Sequence, residues 1–438
     1  MTRIHPFRGW RYDLTAAGAA DLAELLAPPY DVISPAQQAA FYARHPHNII
    51  RLELTADESG DGDAVNRYTR AAATLADWQA RGVLRHEDTP AIYLLQQRTP
   101  LPDGGTVTRR GLIFRLRLAP WGQGILPHER TFPAAKADRL ALTIATATQC
   151  SPIFLLYSDP AGEVQVPVYD VLSQPPAAQF SDDDGVENTL WVISEPARLA
   201  ALAAALEPKT FYIADGHHRY ETARAYQRWQ RGGGQPDAVA PAPLSGWQAV
   251  PGYQPVPPAP PELPLPFDTA WVYAACMEDP GVVILPTHRC IHDLADFDAA
   301  RLLAGLAEDF VVTAGAASAD TMFELVLPDA RYALSLRADL SSAAPADQVD
   351  VAVLQTRVLG PLLGVSPEPA ELKRFIAFTP RVAEAVTGVA EGRYQAAFLV
   401  RPTPLAQLRA VSDAGQVMPP KATYFYPKLP AGLVISTQ

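Results

Sequence analysis

An apolar run, Thr210-Phe211-Tyr212-Ile213-Ala214, leads straight into Asp215-Gly216-His217-His218-Arg219 and on into Tyr220-Glu221-Thr222-Ala223-Arg224-Ala225-Tyr226. A short apolar segment, a glycine and then a helical pattern predict a strand, a tight turn and a helix. Such a turn aims backbone N–H groups and the positive end of the helix dipole outward, and Gly216 lets a ligand come close to the chain. Arg219 adds a guanidinium suited to phosphate oxygens, while His217 and His218 add imidazoles that exchange protons near neutral pH. These residues predict an anion site able to bind, and to transfer, a phosphate-like group. The plain alternative is a helix cap with Asp215 as N-cap and the histidines buried, but five such residues in a row exceed what a cap needs.

Strand-like segments recur over 48–54, 91–96, 111–118, 152–157, 189–193, 210–214, 271–276, 282–285, 322–327, 331–336, 374–378 and 395–400. Helical patterns lie at 63–81, 136–146, 195–206, 219–229, 297–308, 380–389 and 405–413. The predicted class is α+β (mixed α/β), with flanking helices. Asp103-Gly104-Gly105 between two strand patterns reads as a hairpin turn, so the sheets are mixed parallel and antiparallel. The stretch 232–266 opens with three glycines and continues rich in proline, which marks an insertion. It divides the chain into two lobes, an N-terminal α+β lobe over 1–231 that carries the motif and a C-terminal α/β lobe over 267–438.

At 438 residues the chain is long enough for two lobes and a sizeable core. Hydrophobic residues at 48% against 19% charged read as globular. A net charge of −11 argues against nucleic acid as a partner, because a phosphate backbone is repelled. Cys150, Cys276 and Cys290 are too scattered for a zinc knuckle or a disulfide framework and read as buried thiols. Neither a signal peptide nor a membrane span is expected, which predicts a cytoplasmic protein. P-loop, Rossmann, serine-hydrolase and protein-kinase signatures are all missing from the sequence.

Other segments gather chemistry too. Pro28-Pro29-Tyr30-Asp31 fixes a Tyr-Asp pair just before a helix begun by Ser34, and Asp31 reads as a base for a substrate hydroxyl, as a ligand of a metal bound to phosphate, or as a turn acceptor. Pro127-His128-Glu129-Arg130, followed by Lys136, Asp138 and Arg139, lacks the second histidine of a zinc protease and reads as substrate contacts or an ion-pair network. His288-Arg289 resembles a weaker copy of the main turn and reads as structural. Between Met418 and Lys428 two lysines interleave with aromatics, which points to Lys421 as a phosphate ligand.

Together, Phe7-x-Gly9-x-x-Tyr12, Pro28-Pro29-Tyr30-Asp31-Val32-Ile33, Asn48-Ile49-Ile50-Arg51-Leu52, Pro127-His128-Glu129-x-Thr131, Asp215 to Ala223, Leu285-Pro286-Thr287-His288-Arg289 and Pro419 to Lys428 resemble the bacterial and archaeal family called domain of unknown function 1015. The Asp215 to Arg219 segment is similar to the phosphate-binding turn of the ParB, sulfiredoxin and free-serine-kinase superfamily. The resemblance implies that Gly216, His217, His218 and Arg219 cradle nucleotide phosphates while Asp31 or Asp215 deprotonates a hydroxyl. Tyr30, Arg51, His128, Glu129 and Arg139 are the expected substrate contacts.

The sequence thus predicts a phosphotransferase that uses ATP or ADP with Mg2+ to phosphorylate a small, serine-like hydroxyl substrate, with no resident metal. Two alternatives stand beside it. One is a nucleotide or phospho-metabolite sensor without turnover, and the other is a metal-dependent hydrolase built from His128, Glu129, His217 and His218.

Overall fold

In the computed structural model of the chain, the structure describes residues 3–102, 104–129, 133–232, 265–315 and 321–437. The Pro-rich insertion over 233–264 lies outside the described residues, as do Asp103 of the hairpin and Arg130 to Phe132. The chain forms two compact units. One combines Met1–Ile125, Thr131–Val282 and Pro427–Gln438; the other combines Leu126–Arg130 with Val283–Tyr426.

The first unit is built on a mixed sheet that includes β1 (Ile4–His5), β2 (Ile92–Pro100), β3 (Thr106–Arg117), β4 (Ile153–Tyr157), β5 (Ala178–Ser181), β6 (Glu187–Ile193), β7 (Phe211–Asp215) and β8 (Thr269–Cys276). They lie in the order β7-β4-β8-β3-β2-β6-β5, with β1 on the end of β3. β4 and β8 run parallel, pairing Val272 with Ile153 and Cys276 with Tyr157, whereas β2 and β3 pair antiparallel from Tyr93 and Ile113 to Pro100 and Thr106. Gly104 and Gly105 both take positive φ at the end of this hairpin, a conformation glycine adopts without a steric cost. The mixed sheet and the hairpin agree with the sequence reading.

Strand β8 departs from it. Although it follows the insertion, it hydrogen-bonds between β3 and β4, so the first unit extends to Val282 and does not end at 231. Its eight residues are all buried, and such a strand needs covered neighbours on both edges, which the centre of this sheet provides.

Helices α1 (Pro35–Arg44), α2 (Ile50–Glu53), α3 (Arg67–Ala80), α4 (Pro133–Thr146), α5 (Pro196–Leu206) and α6 (His217–Arg231) complete the unit. Ser34 starts α1 through a capping box with Gln37, and Pro35 occupies the first turn, where its missing N–H costs nothing. The 48–54 segment, expected as a strand, is instead the short helix α2. Asn48 Oδ1 accepts from the Ile50 N–H at 2.9 Å, and Ile49, Ile50 and Leu52 are all buried, so alternation could not distinguish the two states in so short an apolar run.

Along one face of the sheet, Leu94, Leu112, Phe114, Leu155 and Val272 pack with Leu202 and Leu206 of α5 and with Tyr220 and Ala223 of α6. A second core joins Phe41, Ile49, Ile50, Leu52, Leu75 and Trp78 with Ala431 and Ile435 of the C-terminal segment. That segment is tied in by paired bonds between Trp10 and Ile435 and by Ser436–Thr437, antiparallel to Thr148–Gln149.

The second unit holds an antiparallel sheet of β9 (His288–Ile291), β10 (Phe310–Ala314), β11 (Phe323–Leu327), β12 (Ala330–Leu336), β13 (Ile376–Thr379) and β14 (Ala396–Val400), in the order β10-β12-β11-β14-β9-β13. Its helices include α7 (Ala299–Asp309), α8 (Val382–Ala390) and α9 (Leu405–Asp413). The expected strand over 374–378 begins later, because Arg374 and Phe375 finish the helix Pro369–Phe375.

Candidate functional site

The turn after β7 is built as its residues require. The register between β7 and β4 shifts between Ile213 and Asp215, an irregularity that turns Asp215 at the end of the strand. Gly216 follows with φ 93°, in the left-handed region, and α6 starts at His217 with no side chain capping it. An added Cβ at Gly216 would lie 3.0 Å from Arg219 Nε. Gly216→Ala is therefore expected to cost about 1–2 kcal/mol from the backbone alone and to displace Arg219. A thermal melt showing no loss would contradict this reading of the turn.

Three charged groups lock together here. Asp215 accepts from Lys428 Nζ at 3.1 Å and lies 3.5 Å from a terminal nitrogen of Arg219, which also donates to the Pro152 carbonyl. Burial alone would raise the Asp215 carboxyl, but Lys428 and Arg219 outweigh it and hold it well below the usual carboxylate range. Burial likewise opposes the charge on Arg219, and is outweighed by Asp215 first and then by Asp31, Tyr30 and Glu53. The Pro-Pro-Tyr-Asp corner therefore stands within electrostatic reach of the turn. Asp31 is exposed, and among the described residues its carboxylate accepts no side-chain donor.

His217 is 4% exposed and adds a smaller push in the same direction to the Asp215 carboxyl. Burial, against the opposing pull of Asp31 and Glu221, keeps the His218 pKa below its ordinary value and so favours the neutral ring. Lys136 pairs with Glu221 of α6 at 2.6 Å.

Behind the turn lies a cavity of about 40 Å3, whose lining includes Tyr30, Glu53, Arg139, Ser151, Arg219 and Thr222. Ser151 Oγ donates to Glu53 at 2.6 Å, and Arg139 donates to the Glu53 carbonyl at 2.6 Å while stacking over the Tyr30 ring at 4.2 Å. Two bonds from Arg139 engage Asp138, at 2.6 and 2.8 Å, and Asp138 also takes Arg67 and the Tyr68 hydroxyl. Thr222 is buried, and its hydroxyl has no hydrogen-bond partner among the described residues. A water needs roughly 10–15 Å3 of such space, so the cavity admits a polar group a few waters in size and not a whole nucleotide.

Lys428 is aimed by a buried network. Arg109, fully buried on β3 and stacked on Phe154 at 4.6 Å, donates to Gln97 Oε1 at 2.5 Å and to the Pro427 carbonyl at 2.7 Å. Gln97 in turn donates to Asn188 and to the Lys428 carbonyl, at 3.0 and 3.3 Å. Replacing Arg109 with methionine leaves Pro427 and Gln97 without their donor and should cost about 2–3 kcal/mol, measurable by denaturant unfolding; an unchanged midpoint would show that the network does not hold the segment.

The structure thus brings Tyr30, Asp31, Arg139, Asp215, Gly216, His217, His218 and Arg219 into one region of the first unit. His128, Glu129 and Lys421 belong to the second unit, where His128 Nε2 meets Thr423 Oγ1 at 2.9 Å and the Lys421 amide donates to Glu129 at 3.4 Å. Arg51 is occupied elsewhere, donating to the Tyr42 carbonyl at 3.0 Å and lying 4.5 Å over that ring. His288 is structural, accepting the Val400 N–H at 3.2 Å, and burial pushes it down to about 4.

Sequence reasoning missed Glu53, hidden in the apolar run of α2. It also chose Lys421 over Lys428, although both lie in one quoted motif. Among the described residues, no group of three His, Cys, Asp or Glu side chains is placed to hold a metal ion, and no helix is long and apolar enough to cross a membrane. The three cysteines are free and buried.

Among solved structures, the chain is similar to a point mutant of free serine kinase in complex with AMP, at 12% identity and a TM-score of 0.35, over 74% of this chain and 92% of that one. It is also similar to C-terminally truncated SbnI from Staphylococcus aureus, at 10% identity and 0.38, over 74% and 87% of the two chains. A conserved hypothetical protein from Pyrococcus furiosus gives 11% and 0.33, over 73% and 93%. No curated protein matches the sequence. The family model described as protein of unknown function (DUF1015) matches residues 4–355, and the chain belongs to that family.

Proposed function

We propose that the first unit is a nucleotide-dependent phosphotransferase acting on a small hydroxyl compound. The observation that carries this reading is the placement of Arg219. It lies on a glycine turn at a helix N-terminus, is buried beside Asp215 and Lys428, is within the field of Asp31, and lines a small polar cavity. A nucleotide phosphate over the turn would meet Arg219, the helix N-terminus and the Gly216 backbone. The likeness of this turn to that of the ParB, sulfiredoxin and free-serine-kinase superfamily belongs to the same proposal.

The cavity's size separates the two ends of the reaction. Only a compact acceptor fits beside Glu53, Ser151 and Arg139, so the nucleotide lies outside, over the turn. Asp31 takes the acceptor's proton as its oxygen bonds to the terminal phosphorus, and the bond from phosphorus to the departing nucleotide oxygen breaks. Asp215 is a weak base, because two cations hold it ionised, and its role is to fix Arg219 and Lys428. A magnesium ion arriving with ATP or ADP supplies charge neutralisation. Lys421, His128 and Glu129 have no part in this proposal.

The test is thermal shift and calorimetry with AMP, ADP and ATP on the full chain, followed by phosphate transfer to a panel of small hydroxy compounds that includes serine. Binding with turnover supports the proposal. Tight binding with no turnover on any acceptor would move the protein to the sensor reading, and absence of any nucleotide effect would remove both.

A further inference from the structure

A second cavity, of about 130 Å3, lies within the first unit at the carboxyl ends of the parallel strands β4 and β8, where Tyr157 and Cys276 stand side by side in register. Its floor is apolar, with Leu94 and Leu112 from the sheet and Val168 and Leu172 from the 3-10 helix Val166–Ser173. By strand alternation this face is opposite the one that carries Arg109, Phe154 and Tyr273. None of its residues belongs to the turn or the acceptor cavity described above.

Two features distinguish it from a packing defect. Tyr157 is 3% exposed, yet its hydroxyl takes no hydrogen bond among the described residues, although a buried phenol ordinarily finds a partner. Tyr157, Cys276 and Asp279 all line the cavity, and burial first, then Cys276, Asp159, Tyr273 and Asp279, raise the Tyr157 pKa. Asp279 accepts only backbone N–H groups, from Arg110 at 3.1 Å and Gly281 at 2.8 Å, with no cation in ion-pair contact among the described residues. At the outer wall, Tyr169 is 81% exposed. An apolar protein cavity of about 150 Å3 is known to hold a benzene molecule, so the volume here suits one ring or a branched alkyl group of similar size.

We propose that this cavity binds a small aryl- or alkyl-ammonium compound, its hydrocarbon against Leu94, Leu112, Val168 and Leu172 and its ammonium group toward Asp279 and the Tyr157 hydroxyl. The site is independent of the phosphotransferase reading. Asp279 offers an ammonium group an acceptor at one end, Arg110 lines the cavity too but is tied to Gln96 Oε1 at 2.8 Å, and the limited volume excludes a nucleotide.

Benzylamine, toluene and benzoate titrated onto the full chain, followed by calorimetry and ligand-detected NMR, test it. Saturable one-site binding of benzylamine is expected, weaker binding of toluene, and none of benzoate. Val168→Trp or Leu172→Trp should abolish benzylamine binding while the fold, checked by circular dichroism, persists. Asp279→Asn should weaken benzylamine at least tenfold and leave toluene unchanged, and Arg219→Ala should leave benzylamine binding intact. Absence of saturable binding, or binding that survives both tryptophan variants, overturns the site. Equal affinity for benzylamine and toluene, or indifference to Asp279→Asn, overturns the choice of an ammonium ligand.

Discussion

Arg219→Ala is expected to lower kcat/KM for phosphoryl transfer by about 100- to 1,000-fold, the usual effect of removing one donor aimed at developing charge in a water-poor site. The fold should survive, because Lys428 still neutralises Asp215 and α6 keeps its packing through Tyr220 and Ala223. Arg219→Lys should recover only part of the loss, since an ammonium restores charge but not the planar fork that reaches Asp215, Pro152 and a phosphate together. Steady-state kinetics and nucleotide calorimetry on the two variants read the effect. Transfer at the parental rate in the alanine variant would end the proposal that this turn is the reaction centre.

Asp215→Asn should be the most destabilising exchange in the site. It leaves Arg219 and Lys428, with side chains only 10% and 17% exposed, facing each other without their carboxylate. Removing one member of such a buried set costs about 3 kcal/mol or more, or roughly 6–12 °C in melting temperature for a unit of this size. The pH dependence follows from the direction of the Asp215 shift. Its folded carboxyl titrates below the unfolded value of about 3.9, so the unfolded chain binds its proton first as pH falls. The stabilisation is complete well above pH 4 and drains away as the pH descends through and below that value. Asparagine lacks this acid limb, and the gap between the two proteins should narrow between pH 7 and pH 3 in denaturant melts. A constant gap, or equal stability at pH 7, would show that the triad does not stabilise the turn.

The sequence made the turn legible because strand, glycine and helix are consecutive, and local chemistry defines each of them. Most strands were equally plain, including the hairpin whose two glycines need positive φ. The failures share a physical cause. The 48–54 run alternates like a strand, but burial on all sides hides its period, and the helix came from an asparagine contact that pattern alone does not reveal. Glu53 was lost with it. Choosing between Lys421 and Lys428 required knowing where the chain goes after Tyr426, because the two lysines lie in different units. Strand β8 was assigned to the wrong part for a similar reason, since nothing local says that a strand following a long insertion returns to the sheet that preceded it.

The return of 427–437 to the first unit bears on how this protein can be dissected. The family match stops at residue 355, and a fragment cut there would keep the turn, Arg219 and the acceptor cavity but lose the lysine that faces Asp215 and the residues that cover Trp10 and Ile49. Such a fragment would carry Asp215 with one cation instead of two and would open the second hydrophobic core to solvent. Expression boundaries and affinity tags therefore belong at the amino terminus, with the final dozen residues left native.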